Sequence, residues 1–126
     1  NGDITSCEAA KIALKDSRAA GVMVGRAAMG QPWLLAQIAD YISGLPVRLV
    51  PDMLQRNLMM TKHLTDITNE KGEIGLRSAR KHFASYCDHL EESDELRAVA
   101  MRTSSASELK DAIFEYFLKS SRLTAA

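Results

Sequence analysis

The chain has 126 residues, 46% hydrophobic and 25% charged, with 16 Lys plus Arg against 16 Asp plus Glu. That is the size and balance of one globular domain or slightly more. It excludes a membrane span, which needs an apolar run of about 18 or more residues, and an overall basic charge that would by itself point to nucleic acid.

The chain opens on a turn, Asn1-Gly2-Asp3. A helix is expected over 5–19, started by a capping box of Thr5 and Glu8. Cys7, Ala9, Ala10, Ile12 and Ala13 give it a small-residue apolar face, and Gly21 follows its end. Val22-Met23-Val24, bounded by glycines, reads as a short buried parallel strand. A second turn, Gly25-Arg26, comes next, and a second helix is expected from about 28 to 42. Its apolar content is Trp33, Leu34, Ala36, Ile38 and Tyr41, and Pro32 suits a first helical turn. Helix, buried strand, helix is the rhythm of an α/β protein.

The character changes near Ser43-Gly44-Leu45-Pro46, after which no strand is expected. Pro51-Asp52 starts a helix that Gly72 and Gly75 break. The segment 76–90 places Leu76, Ala79, Phe83, Tyr86, Cys87 and Leu90 within one helical stripe. Further helices are expected over 94–102 and from a second capping box, Ser105 with Glu108. Residues 45–126 thus read as a bundle of about four helices, and the fold class as mainly α, the bundle preceded by a βα segment in residues 1–44.

Both turns suit an anion. A phosphate is held by converging backbone N–H groups at a helix start, and glycine lets the backbone come close. In a (β/α)8 barrel the loops after the last two strands lie side by side at one face and form the usual phosphate site. Asn1-Gly2-Asp3 and Gly25-Arg26 have the order and spacing of such a pair. Taken singly the signals are weak: Asn-Gly alone is most often a plain turn, and Gly-Arg alone says almost nothing; it is their order, spacing and flanking helices that point to a phosphate.

The stretches "NGDI", "GVMVGRAAMGQPW" and "RSARKHFASY" together resemble the C-terminal part of bacterial tRNA-dihydrouridine synthases. The resemblance runs through essentially the whole chain. It implies the last βα segment of a flavin-binding (β/α)8 barrel in residues 1–44 and a tRNA-binding helical domain in 45–126. It implies FMN, reduced by NADPH, as cofactor, reduction of the uridine C5–C6 double bond in tRNA, and a catalytic cysteine upstream of this chain. Asn1, Gly2, Asp3, Gly25 and Arg26 fall at the positions around the FMN phosphate. Neither Cys7 nor Cys87 matches the catalytic position, so no catalytic residue is assigned here. Where the family carries a Trp-Tyr pair at the end of the basic helix, this chain has Ser85-Tyr86, and Tyr86 lies within the apolar stripe. Trp33 is expected to anchor the last barrel helix on the bundle rather than to touch a cofactor.

On the basic helix, Arg77 and Lys81 point away from the apolar stripe while Arg80 and His82 flank it on opposite sides. The four are the candidate RNA contacts; a merely solvated face is the competing reading. Met53, Met59 and Met60 read as packing residues. His63, His82 and His89 lack metal-ligand spacing, and no metal site is expected. The absence of a signal peptide and of CxxC spacing suggests a reduced, cytoplasmic protein. An enzyme fragment is the leading reading. A self-contained helical interaction module, or the end of another flavin barrel acting on a small molecule, are the alternatives. The fragment alone is expected to be inactive, to hold FMN weakly, and to self-associate through residues 1–42, since an apolar strand without neighbours invites pairing.

Overall fold

A computed structural model describes residues 2–125 of the protein. Among them are five α-helices: α1 (Cys7–Ser17), α2 (Trp33–Ile42), α3 (Met53–Cys87), α4 (Asp94–Arg102) and α5 (Ala106–Ala125). One 3-10 turn spans Arg26–Ala28. The fold is mainly α, with a C-terminal helical bundle, as the sequence leads one to expect. The chain divides into two units, residues 1–50 and 51–126.

In the first unit, α1 is capped one residue later than the expected Thr5–Glu8 box. Ser6 takes an extended conformation and its hydroxyl accepts from the Ala9 amide at 3.1 Å. The helix ends at Ser17, two residues before the expected end at 19: Arg18 turns left-handed and its N–H returns to the Leu14 carbonyl. Val22–Val24 does not form the expected strand, because strands need a neighbour to complete their hydrogen-bond ladder and no described residues offer one. The segment still alternates, with Val22 and Val24 half-buried and Met23 exposed. The two valines pack on Ile4, Ala10, Leu34 and Ile38, the small core of this unit.

The helix expected from residue 28 begins only at Trp33, since Gly30, Gln31 and Pro32 first turn the chain. It ends in a Schellman motif. The Gly44 amide donates to the Tyr41 carbonyl at 3.2 Å and the Leu45 amide to the Asp40 carbonyl at 2.9 Å. Arg48 then folds back on Asp40. Its Nε and Nη2 donate at 2.8 and 2.9 Å and its backbone amide at 3.0 Å, and these bonds hold the Asp40 carboxyl at about 2.

The second unit is built on α3. Its start is a capping box that the sequence reading missed: the Gln55 amide donates to Asp52 at 2.8 Å, and the Asp52 amide to the Gln55 side chain at 2.9 Å. Of the two glycines expected to break this helix, only Gly72 does so, with φ 60 and ψ −148 inside otherwise helical backbone. At Gly72 the chain reverses. The His63 and His82 rings lie 5.7 Å apart, tilted to each other by 50°, and Arg56 donates to the His89 carbonyl at 2.8 Å. In both pairs the partners lie almost equally far on either side of Gly72, so residues 53–71 and 73–87 are two arms of an antiparallel hairpin. Gly75 stays helical and lies close against Ile67 and Lys71 of the first arm. With α4 and α5, the arms make four rods. Met60, Leu64, Leu76, Phe83, Leu96, Leu109, Ile113 and Phe117 fill the space between them. Burying a side chain such as Phe83 or Ile113 contributes about 1.5–3 kcal/mol.

The connections within the bundle are fastened by side chains. The buried Ser93 hydroxyl shares its one proton between the carbonyls of Cys87 and Leu90, 2.9 and 3.0 Å away. Tyr116 donates to the Glu91 carbonyl at 2.7 Å. At the start of α5 only half of the expected box forms. The Glu108 amide donates to Ser105 Oγ at 3.2 Å, but the Glu108 carboxylate accepts from the Thr103 hydroxyl. Among the described residues no helix is long and apolar enough to cross a membrane.

Candidate functional site

The two glycine-bearing turns meet. Arg26 Nη2 donates to Asp3 Oδ1 at 2.6 Å, a contact between residues 23 apart in sequence. Both side chains are largely exposed, at 83% for Arg26 and 73% for Asp3. An exposed ion pair of this kind contributes no more than about 1 kcal/mol. Its importance lies in what it juxtaposes.

Asp3 sits in the left-handed region at φ 48, a conformation aspartate tolerates better than most residues. Gly25 precedes the 3-10 turn, and its carbonyl accepts from the Ala28 amide at 3.0 Å. A Cβ added at Gly2 or at Gly25 would meet nothing within 4 Å, so the space beside both backbones is open. Arg26 starts a three-residue turn and not a full helix. Such a turn carries little of the macrodipole that favours an anion. Asn1, the remaining candidate of this group, lies outside the described residues.

The basic candidates separate into three kinds. Arg77 and Lys81 are exposed, one turn apart on the solvent face of the second arm of α3. Their side chains make no hydrogen bond or ion pair among the described residues. Arg80 is half-buried and turned to α4. Its Nη2 donates to the Thr103 carbonyl at 3.0 Å and lies 3.4 Å from the Arg102 carbonyl. Its Nε is buried without an acceptor among the described residues. His82 is half-buried on the opposite flank, against His63.

His63 and His82 belong to an aromatic cluster that joins the arms. The His63 ring lies 5.4 Å from Phe83 and 5.8 Å from Tyr86, and its Nδ1 is 3.1 Å from the Tyr86 hydroxyl oxygen. Burial, and then the neighbouring His82, pushes the His63 imidazole below the ordinary histidine range. Burial, and then Lys81, does the same to His82. Tyr86 is 6% exposed, so it is a core residue and not a platform for stacking a base.

Cys87 is buried among the helices, and burial pushes its thiol up; Cys7 is half-buried on α1. Both thiols are free. Trp33 is buried. Arg102, which ends α4, has an exposed side chain, and its carbonyl lies beside Arg80.

The sequence profile of the family described as "Dihydrouridine synthase (Dus)" matches residues 1–121. A "Probable tRNA-dihydrouridine synthase" of Rickettsia conorii is 36% identical over 118 residues, covering 93% of this chain and 36% of the relative. A protein of the same description from Rhodobacter capsulatus is 43% identical over 103 residues, covering 81% of this chain and 31% of the relative. The "tRNA-dihydrouridine synthase B" of Shewanella oneidensis is 34% identical over 119 residues, covering 93% of this chain and 36% of the relative. The chain thus spans about a third of the length of these curated relatives.

Proposed function

We propose, because this chain belongs to the dihydrouridine synthase family, that it is part of an enzyme that reduces the C5–C6 double bond of uridines in tRNA. In that enzyme Asn1, Gly2, Asp3, Gly25 and Arg26 surround the phosphate of FMN. Arg77 and Lys81 lie on the tRNA backbone. When bound, the flavin supplies hydride to the uracil ring, with NADPH as its own reductant.

The observation that carries this reading is the Asp3–Arg26 pair, which ties together two turns with open glycine backbone. Glycine there admits the close approach that phosphate binding by amides requires. Asp3 beside an anion is acceptable because Arg26 neutralises it and keeps further N–H donors on the same guanidinium. Arg77 and Lys81 supply charge without an internal partner, as residues that position a nucleic-acid backbone do. Their contacts cannot choose the uridine, so the shape of the tRNA must. The chain alone, with a third of the length of its relatives, is inactive and holds FMN weakly.

The test is expression of the intact reading frame. The expected protein purifies yellow and adds two hydrogens to uridine in tRNA. Arg26→Ala lowers its FMN content. A colourless protein that leaves tRNA unchanged, or an Arg26→Ala variant with full FMN content, overturns the reading at the enzyme or at the phosphate site, respectively.

A further inference from the structure

We propose that a groove at the open end of the α3 hairpin docks a basic amphipathic helix of a partner protein. Neither Arg77 nor Lys81 lines this groove, so its occupant is independent of the RNA contacts proposed above.

The start of α3, the helix α4 and the C-terminal part of α5 enclose a cavity of about 1020 Å³, lined wholly from within residues 51–126. Three contacts bring its walls together. Arg56 Nη1 donates to the His89 carbonyl at 2.8 Å, the Tyr116 hydroxyl to the Glu91 carbonyl at 2.7 Å, and Lys119 Nζ to Glu95 Oε2 at 3.1 Å. The apolar lining runs from the buried Leu90 and Leu96, through the half-buried Val99 and Tyr116, to Met53 and Leu123. These last two are 39% and 71% exposed, so apolar surface is left open for another molecule to cover.

The polar lining is acidic. It holds Asp52, Glu91, Glu92, Asp94, Glu95 and Glu115 against two cations, Arg56 and Lys119. Both cations are engaged, Arg56 with the carbonyls of Pro51 and His89 and Lys119 with Glu95. Three of the acids serve the fold. Asp52 caps α3, and Asp94 and Glu95 stand in the first turn of α4, where a carboxylate suits the positive end of a helix. Glu91, Glu92 and Glu115 have no such duty: their side chains are exposed and make no hydrogen bond or ion pair among the described residues. Six of the 16 acids of a chain without net charge thus line one groove. Such a surface repels a phosphate backbone and attracts lysine and arginine. A basic helix with one apolar stripe answers both features, its stripe lying on Leu96, Val99 and Leu123 and its cations on Glu91, Glu92 and Glu115. A helix with its side chains is about 10–12 Å across, so the cavity takes about two turns of one.

The experiment uses the intact protein and a fluorescent peptide about four helical turns long, built of leucine and lysine with the leucines on one face. Anisotropy is expected to show binding that weakens as salt is added. Joint replacement by Glu91→Gln, Glu92→Gln and Glu115→Gln is expected to weaken it about tenfold. Leu123→Arg, which removes apolar surface and adds a repelling charge, is expected to do the same, and it decides the matter should the triple variant fold poorly. Glu70→Gln with Glu73→Gln, exposed acids on either side of Gly72, should change nothing. A peptide of equal charge with serine for leucine should bind about tenfold more weakly. Equal binding of the two peptides would make the groove a general attractor of cations, and undiminished binding by Leu123→Arg would put the peptide elsewhere. Absence of binding to the parent protein would mean that the groove is closed in it. Each of these results overturns the proposal. So does a loss of tRNA affinity in the groove variants, which would give the groove to RNA. An oligomer in sedimentation that the groove variants dissociate would overturn it too, with a second copy of the protein as the occupant.

Discussion

At Gly75 an added methyl group would stand 2.6 Å from the Lys71 Cβ and 2.7 Å from the Ile67 carbonyl oxygen. Both obstacles belong to the other arm of the hairpin near its bend, and one is backbone, so neither can swing aside. At Gly72 an added methyl would meet nothing within 4 Å, and the difficulty is φ +60 with ψ −148. Gly75→Ala is expected to cost about 1–3 kcal/mol through overpacking, and Gly72→Ala about 1–3 kcal/mol through backbone strain. A D-alanine tells them apart. At position 72 its mirror-image preference matches the native dihedrals, so stability returns; at position 75 it does not. Denaturant midpoints of the semisynthetic chains decide this, and a D-alanine at 72 as harmful as the L form would refute the assignment. From the residue string both glycines read as breakers. Only the closeness of Ile67, which belongs to tertiary structure, distinguishes the one that bends from the one that makes room.

At the scale of elements, the two arms of α3 are joined by His63 and His82, both held below the ordinary histidine range mainly by burial. The unfolded chain therefore binds more protons than the folded one as pH drops through about 6.5. The stability from these groups is complete above that pH and is lost progressively below it. Asp66 opposes the shift of His63, and Lys81 adds to that of His82, without changing the direction. Replacing both histidines with glutamine is expected to flatten the fall in the denaturant midpoint between about pH 7.5 and 5.5; a fall as steep as in the parent would exclude them as its source. Element types were legible here, since the apolar stripe over 76–90 foretold the second arm and Asp94–Arg102 lies where its pattern put it. The cap of α1 was legible to within a residue, with Ser6 in place of Thr5, because either hydroxyl can serve. The destination of Arg80 was hidden, since nothing in its neighbourhood along the chain reveals that the end of α4 lies beside it.

For the whole molecule, the two units have unequal cores. Residues 51–126 enclose a cluster running from Met60 to Phe117, whereas residues 1–50 cluster around Ile4, Ala10, Leu34 and Ile38. Protection from solvent should follow that difference. Amide exchange in this chain is expected to be faster throughout α1 and α2 than in the buried turns of α3 and α5; uniform protection would contradict it. The first unit was the less legible because its segment Val22–Val24 carries a strand's alternation without a ladder to join. The reversal at Gly72 has a consequence for how the other unit is assembled. Once the apex is set, His63 meets His82 and then Arg56 meets the loop at His89, each contact bringing together residues that the preceding one has already drawn near. The chain can thus close like a zip fastener, with little loop entropy lost at each tooth, and low contact order of this kind favours rapid folding.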